Sequence, residues 1–332
     1  MAISTPTPTN TASPAAIKLK TPPQTKILQG GTHAFETFNN CGPATLSMAL
    51  SYSGVKVTQQ ELGQALRPYQ HPKGDNDDKS TTLEELAEKS KEYGHIPFFR
   101  PMGNPEIIKL FVSYDIPVMA RTLTKPTEDI AHYRLVKGYD DVAREFTQDD
   151  SLQGKDLKYT YEAFDALWGS LGYEFLVVVP KDKEAIARAI LGKNADSNTA
   201  WSQAVEFFNS KLAQNSNDVQ ARFNLSVAYH KVGDYQRSVE EFEKVENKLS
   251  FRTLWYQIEP IESYFQLGDY ARVFQITDKI LNNNNRAFSE LYLLRGEIYK
   301  KQGKTALARS EFEKAVLYNK SLKAAQDALN SL

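Results

Sequence analysis

The chain reads as an α+β domain followed by an all-α solenoid of helix pairs. Three observations carry that reading. From about residue 31 to 182, capped helical segments come first and β-rich, partly alternating segments follow, which is an α+β layout. Beyond residue 199 the strand pattern disappears, and Gly233-Asp234-Tyr235, Gly268-Asp269-Tyr270 and Gly303-Lys304-Thr305 recur every 35 residues. A length of 332 residues suits roughly two such units.

Composition narrows the class. With 41% hydrophobic and 24% charged residues and a net charge of −1, the chain has no basic excess for nucleic acid. A single cysteine excludes an intramolecular disulfide. No run approaches the length of a membrane span, and no apolar segment of a secretory signal follows Met1. The compartment stays open: cytoplasmic or, if an N-terminal anchor was removed, cell-surface. Residues 1–30 hold five prolines and no acidic residue, which predicts a disordered Thr/Pro-rich tether with Gly30-Gly31 as a hinge.

Taken in order, the first folded segment carries the lone thiol. Asn39-Asn40-Cys41-Gly42-Pro43-Ala44-Thr45 leads into a helical run that Gly54 stops. A thiol at a helix N-terminus meets backbone N–H groups and the positive end of the dipole, which favours the nucleophilic thiolate. A cysteine chosen at random is more often a small buried hydrophobe. Residues 58–66 carry a capping box and end at Arg67-Pro68. Residues 71–80 form a polar loop without the glycine and glutamate spacing of a calcium hand. Residues 82–90 and 106–112 read as helices and 117–121 as a strand. His132 opens a strand that ends in a polar turn near Asp141, and Asp150 follows in a second turn. Residues 159–168 read as a short helix and 174–180 as a buried strand closed by proline.

A helix-borne thiol with a sheet-borne histidine and a later aspartate is how papain-like folds assemble nucleophile, base and orienter. The Asn-Asn-Cys-Gly-Pro-Ala-Thr box, the His-Tyr-Arg-Leu-Val-Lys-Gly-Tyr-Asp-Asp strand and the Asp-Asp-Ser-x-x-Gly turn resemble papain-fold cysteine peptidases related to bacteriocin-processing, double-glycine peptidases. The closer match is a bacterial group that joins this domain to tetratricopeptide repeats, and the resemblance runs from about residue 31 to the C-terminus. It implies an α+β papain-like domain with Cys41 as nucleophile, His132 as base and Asp150 as orienter. Asp149 is the weaker orienter, because the family's carboxylate usually precedes a Ser or Pro directly. One position departs from the family. Its oxyanion glutamine, a few residues before the cysteine, corresponds to Glu36. An ionised carboxylate would repel the oxyanion, and losing a donor there costs about two to three orders of magnitude in rate. A protonated Glu36, or Asn39 or Asn40, would donate instead.

Residues 183–198 read as a connecting helix or linker, and residues 199–332 repeat. Tyr229, Tyr264 and Tyr299 keep the 35-residue spacing, near the tetratricopeptide period of about 34. In the last unit Tyr292, Gly296, Tyr299, Ala308, Phe312 and Ala315 take the aromatic and small positions that let two helices pack. Residues 201–208 suggest half of an earlier unit and 321–329 a capping helix. The first helix of each pair should line a concave face, with Asn224, Gln257 and Tyr292 as candidate partner contacts.

The leading expectation is a cysteine peptidase acting on a peptide or protein, with the repeats holding substrate or partner. The second is a catalytically impaired protein that keeps the fold as a repeat scaffold. An acyl transferase or amidase would use the same nucleophile. No cofactor is expected. No metal is expected either, because His33, His71, His95 and His230 lack a second ligand at metal spacing.

Overall fold

The computed structural model describes residues 17–69, 81–283 and 285–332; the expected 71–80 loop and most of the expected tether lie outside them. The described part of the first region holds seven strands: β1 (Thr25–Ile27), β2 (His95–Arg100), β3 (Val118–Leu123), β4 (Ala131–Asp140), β5 (Glu145–Asp150), β6 (Gly154–Thr160) and β7 (Phe175–Pro180). They form one antiparallel sheet in the order β2-β7-β3-β4-β5-β6, and β1 pairs with the far end of β4. Helices α1 (Cys41–Ser51), α2 (Gln59–Leu66) and α3 (Leu83–Lys91) precede most of the strands. Helices α4 (Pro105–Ser113), α5 (Tyr161–Trp168) and α6 (Glu184–Leu191) are interleaved with or follow them.

Strand alternation splits the interior into two layers. Met119, Leu135 and Leu176 pack with Leu46, Met48, Leu50, Leu62 and Leu86 from α1–α3. Their chain neighbours Ala120, Val136 and Val177 face Phe111, Phe164, Trp168 and Ile190 from α4–α6. Both expected capping boxes are present, at Thr58–Glu61 and Thr82–Glu85.

Two expectations need correction. The tether was expected to be disordered to residue 30, but Thr25, Lys26 and Ile27 pair with Asp140, Tyr139 and Gly138. Leu28 is buried, and a side chain at Gly31 would meet the ring of Tyr52, at the end of α1, at 2.2 Å, whereas Gly30 is exposed with open space around it. An unpaired stretch of β4 recruits this segment despite its prolines. His95 was expected in a turn; it begins β2, where Pro97 masks the strand pattern. Residues 183–198, expected to be a connecting helix or linker, contain α6, whose Ala187, Ile190 and Leu191 also join the core beneath the sheet.

The helical region starts with one long helix, α7 (Ser197–Gln214), where half a repeat was expected. Three antiparallel pairs follow: α8 (Val219–Lys231) with α9 (Tyr235–Glu243), α11 (Glu259–Leu267) with α12 (Tyr270–Asn282), and α13 (Ser289–Lys301) with α14 (Thr305–Tyr318). The short α10 (Thr253–Tyr256) is inserted between the first two pairs, and α15 (Lys323–Asn330) caps the end. Gly233, Gly268 and Gly303 turn the chain within each pair at φ of 81°, 78° and 71°, a region glycine enters without Cβ strain. A Cβ on Gly296 would sit 2.3 Å from the Phe312 ring, so the small residue sets how closely α13 and α14 approach.

Candidate active site

Cys41 is the first residue of α1, and the chain enters that helix through Asn39 in a left-handed conformation (φ 55°). Gly42 permits the tight entry: a Cβ there would lie 2.0 Å from Thr81 Oγ1 and 3.3 Å from the Tyr133 ring. Cys41 is buried within the α1–α3 layer, and its backbone N–H belongs to the first helical turn, whose donors point out of the helix.

His132 lies near the start of β4 and is 2% exposed. Its Nε2 bonds to Asp150 Oδ1 at 2.8 Å, leaving Nδ1 on the other side of the ring. The Sγ of Cys41, a ring nitrogen of His132 and a carboxylate oxygen of Glu36 all lie within 4.8 Å of one another. Burial, the largest single influence, disfavours the imidazolium, but the hydrogen bonds and attraction of Asp150 and Cys41 together outweigh it, and His132 is pushed up to about 9.

Asp150 ends β5, opposite Arg134 of β4. Its Oδ1 also accepts from the backbone N–H groups of Leu152 and Gln153 at 2.8 and 2.9 Å. Arg134 Nε stands 3.2 Å from Oδ2, off the angle of a hydrogen bond. Burial would raise the Asp150 carboxyl, yet the hydrogen bond and charge of His132, then Arg134, hold it below its ordinary value. Asp149 points elsewhere, to Lys137 at 2.6 Å, as strand alternation requires.

Glu36 sits on a loop pinned at both flanks. Gln59 of α2 donates to Phe35 O and accepts from Thr37 N, and Glu36 N bonds to Ser151 O at 2.8 Å. Ser151 Oγ donates to Glu36 Oε2 at 2.6 Å, and that oxygen lies 3.9 Å from His132 Nδ1. Asn40 gives its amide to Thr37 at 2.7 Å and packs against Gly63, so it serves the loop.

The structure therefore gathers Cys41, His132, Asp150 and Glu36. It does not leave the expected partner contacts on an open surface. Asn224 and Gln257 are each 2% exposed. Asn224 donates to Gly169 O at 3.1 Å and Gln257 to Glu174 at 3.3 Å, both in the first region. Tyr292 stacks on Tyr318 with centroids 5.5 Å apart. The first domain itself covers this part of the repeat surface.

Several neighbours escaped the sequence reading. Ser151 and Arg134 hold Glu36 and Asp150; the alternation that puts Arg134 two residues after His132 could have flagged it. Tyr256, from the inserted α10, is pushed up to about 12 by burial and then by the charge of Cys41. The metal expectation also relied on sequence spacing, whereas Glu36, Cys41 and His132 meet only through the fold.

Comparison with known proteins shows what each part is similar to. Residues 18–176 match the Peptidase_C39 like family, and residues 219–246 and 289–322 match the tetratricopeptide repeat. Among solved structures, a Bacillus anthracis protein assigned as a C39-like peptidase aligns at 16% identity and a TM-score of 0.41, over 48% of this chain and 99% of that one. The peptidase domain of Streptococcus ComA, a bifunctional ABC transporter, aligns at 16% identity and 0.37, over 46% and 100%. A double glycine motif protease from an AMS/PCAT transporter, solved with its leader peptide, aligns at 17% identity and 0.35, over 47% and 98%. No curated protein matches the chain. The first domain is C39-like and peptidase-like, and the helical region carries tetratricopeptide repeats of the kind that bind proteins. Among the described residues, no helix is long and apolar enough to cross a membrane.

Proposed function

We propose that the protein is a cysteine peptidase that cleaves a peptide or protein substrate through Cys41, His132 and Asp150. The observation that carries this reading is the bond from His132 Nε2 to Asp150 at 2.8 Å, which fixes the ring with Nδ1 on the Cys41 side. The sulfur attacks the scissile carbonyl carbon as a thiolate. The His132 imidazolium gives its proton to the leaving amine, and the C–N bond breaks. His132 then takes a proton from water, whose oxygen attacks the thioester and regenerates the thiolate. Asp150 keeps the tautomer and compensates the imidazolium throughout.

The oxyanion would meet the N–H groups at the start of α1. On the resemblance read from the sequence, Glu36 takes the place of a glutamine that donates to the oxyanion, and an ionised carboxylate there would weaken this hole. The peptidase-like unit is best drawn from β1 through α6, and the repeat unit from α7 to residue 332. Because the repeat surface near Asn224 and Gln257 is covered by the first domain, the repeats leave their outer helices for a protein partner.

The test is peptide hydrolysis by the full chain in chelated buffer, read by mass spectrometry against Cys41→Ala. The proposal expects cleavage that the variant lacks. Cleavage retained in the variant, or absent from the wild type across a broad peptide library, overturns it.

A further inference from the structure

Glu36, Cys41 and His132 offer one oxygen, one sulfur and one nitrogen, all within 4.8 Å of one another. Bonds of about 2.0–2.3 Å in a tetrahedral zinc site put ligand atoms roughly 3.3–3.8 Å apart. His132 Nδ1 and Glu36 Oε2 are already at 3.9 Å. Closing the set takes a side-chain shift of about 1 Å, judged against those bond lengths.

The surroundings are built as a metal's supporting groups are. A ligating histidine usually gives its other ring nitrogen to a carboxylate, which fixes the tautomer and raises basicity. His132 does so with Asp150 at 2.8 Å, and Asp150 is held in turn by Leu152 N, Gln153 N and Arg134. The Glu36 carboxylate is oriented by Ser151 Oγ at 2.6 Å, and its backbone by Ser151 O at 2.8 Å. A glutamine at position 36 would offer only a neutral amide oxygen.

We propose that Glu36, Cys41 and His132 form a binding site for a zinc-class divalent cation, with the fourth position left to water. Mixed sulfur, nitrogen and oxygen donors suit zinc over magnesium or calcium, which take oxygen ligands. Thiolate and carboxylate enter as anions, and His132 Nδ1 releases its proton to solvent as the metal–nitrogen bond forms. The cation then occupies the sulfur lone pair and removes the proton the leaving amine needs. That regulatory consequence, unlike the site, rests on the peptidase reading above.

The experiment uses the full chain stripped with EDTA and titrated with Zn2+. It reads iodoacetamide alkylation of Cys41 by mass spectrometry, with peptide cleavage in parallel. Zn2+ is expected to slow alkylation at least about tenfold, with EDTA restoring it and Mg2+ without effect. Ser151→Ala should raise the Zn2+ required by about tenfold, the usual cost of losing a supporting partner, and Glu36→Gln by more. Circular dichroism and metal-free alkylation rates check that both variants are folded. No protection in excess Zn2+, or protection of Glu36→Gln at the same Zn2+ concentration as wild type, overturns the site. Protection in a protein that never cleaves peptides keeps the site and removes the peptidase reading. Cleavage without any protection removes the site alone.

Discussion

Two buried charge clusters in this molecule treat a carboxylate in opposite ways. At the cleft, Asp150 takes donors from His132, Leu152 and Gln153 on a single oxygen, with Arg134 beside the other, and stays an anion despite burial. At the seam between sheet and repeats, Glu174 faces Arg121 at 3.0 Å and Gln257 at 3.3 Å. Burial there prevails over Arg121, reinforced by the nearby charges of Glu84 and Glu259, and pushes Glu174 up to about 7. Donor count and neighbouring sign decide the difference. The cleft holds the Asp150 carboxyl below its ordinary value, as its proposed orienting role would need. The seam carries a carboxyl that titrates within the physiological range.

The seam also explains why the repeats are not a bare binding surface. Arg252 pairs with Asp129 at 2.8 Å, Arg67 with Glu290 at 3.2 Å, and Lys231 with Glu84. Phe99 meets Trp201 edge-on, with centroids 5.8 Å apart. These contacts run from α7 to α13 and hold the two regions together along most of the solenoid.

The largest expected effect breaks the cleft side of the comparison. Asp150→Asn removes the anion while keeping the shape, and kcat/KM should fall about ten-thousand-fold, the cost of losing the tautomer-fixing carboxylate in such triads. Steady-state peptide cleavage checks this; a loss below tenfold would show that Asp150 does not orient His132.

Breaking the seam comes next. Arg121→Met strands Glu174 in a buried position and should cost about 3 kcal/mol, the scale for removing one partner of a buried pair. Glu174 titrates above its ordinary 4.5, so its contribution to stability is full below about 4.5 and lost as pH rises through about 7. The variant exaggerates this trend. Urea midpoints should separate more from wild type at pH 8 than at pH 5, and a pH-independent gap would contradict the assignment.

The smallest effect sharpens the cleft. With metals chelated, Glu36→Gln replaces a carboxylate with an amide donor, and hydrolysis should rise by up to about a hundredfold. An unchanged or lower rate in a folded variant would mean that Glu36 is useful as it stands.

How much of this was legible in the sequence follows from range. Cys41 and the capped helices were legible because N-terminus chemistry, capping boxes and glycine stops are local. The repeats were legible because a 35-residue period survives divergence. Asp150 could be preferred to Asp149 only through the resemblance, while the structure separates them by strand alternation. The strand alternation after His132 could have pointed to Arg134, but Ser151 and Tyr256 were not legible, because they act across the fold or between regions. The same holds for β1: a Pro-rich segment reads as disordered until the unpaired end of β4 is known to be waiting for it. Asn224 and Gln257 were sought as partner contacts, but no pattern along the repeats reveals that the chain's own first domain covers them.

The central claim is that Cys41 and His132 act as one ion pair oriented by Asp150. The most direct test is the rate at which an electrophilic cysteine-peptidase probe labels the full chain across pH, with Cys41→Ala as control and His132→Gln alongside. The account predicts labelling only at Cys41, nearly level through neutral pH and changing near about pH 9, where the imidazolium loses its proton. It also predicts that His132→Gln abolishes the plateau. A rate that climbs along an ordinary thiol's titration near about 8.5, the same with and without His132, would contradict it.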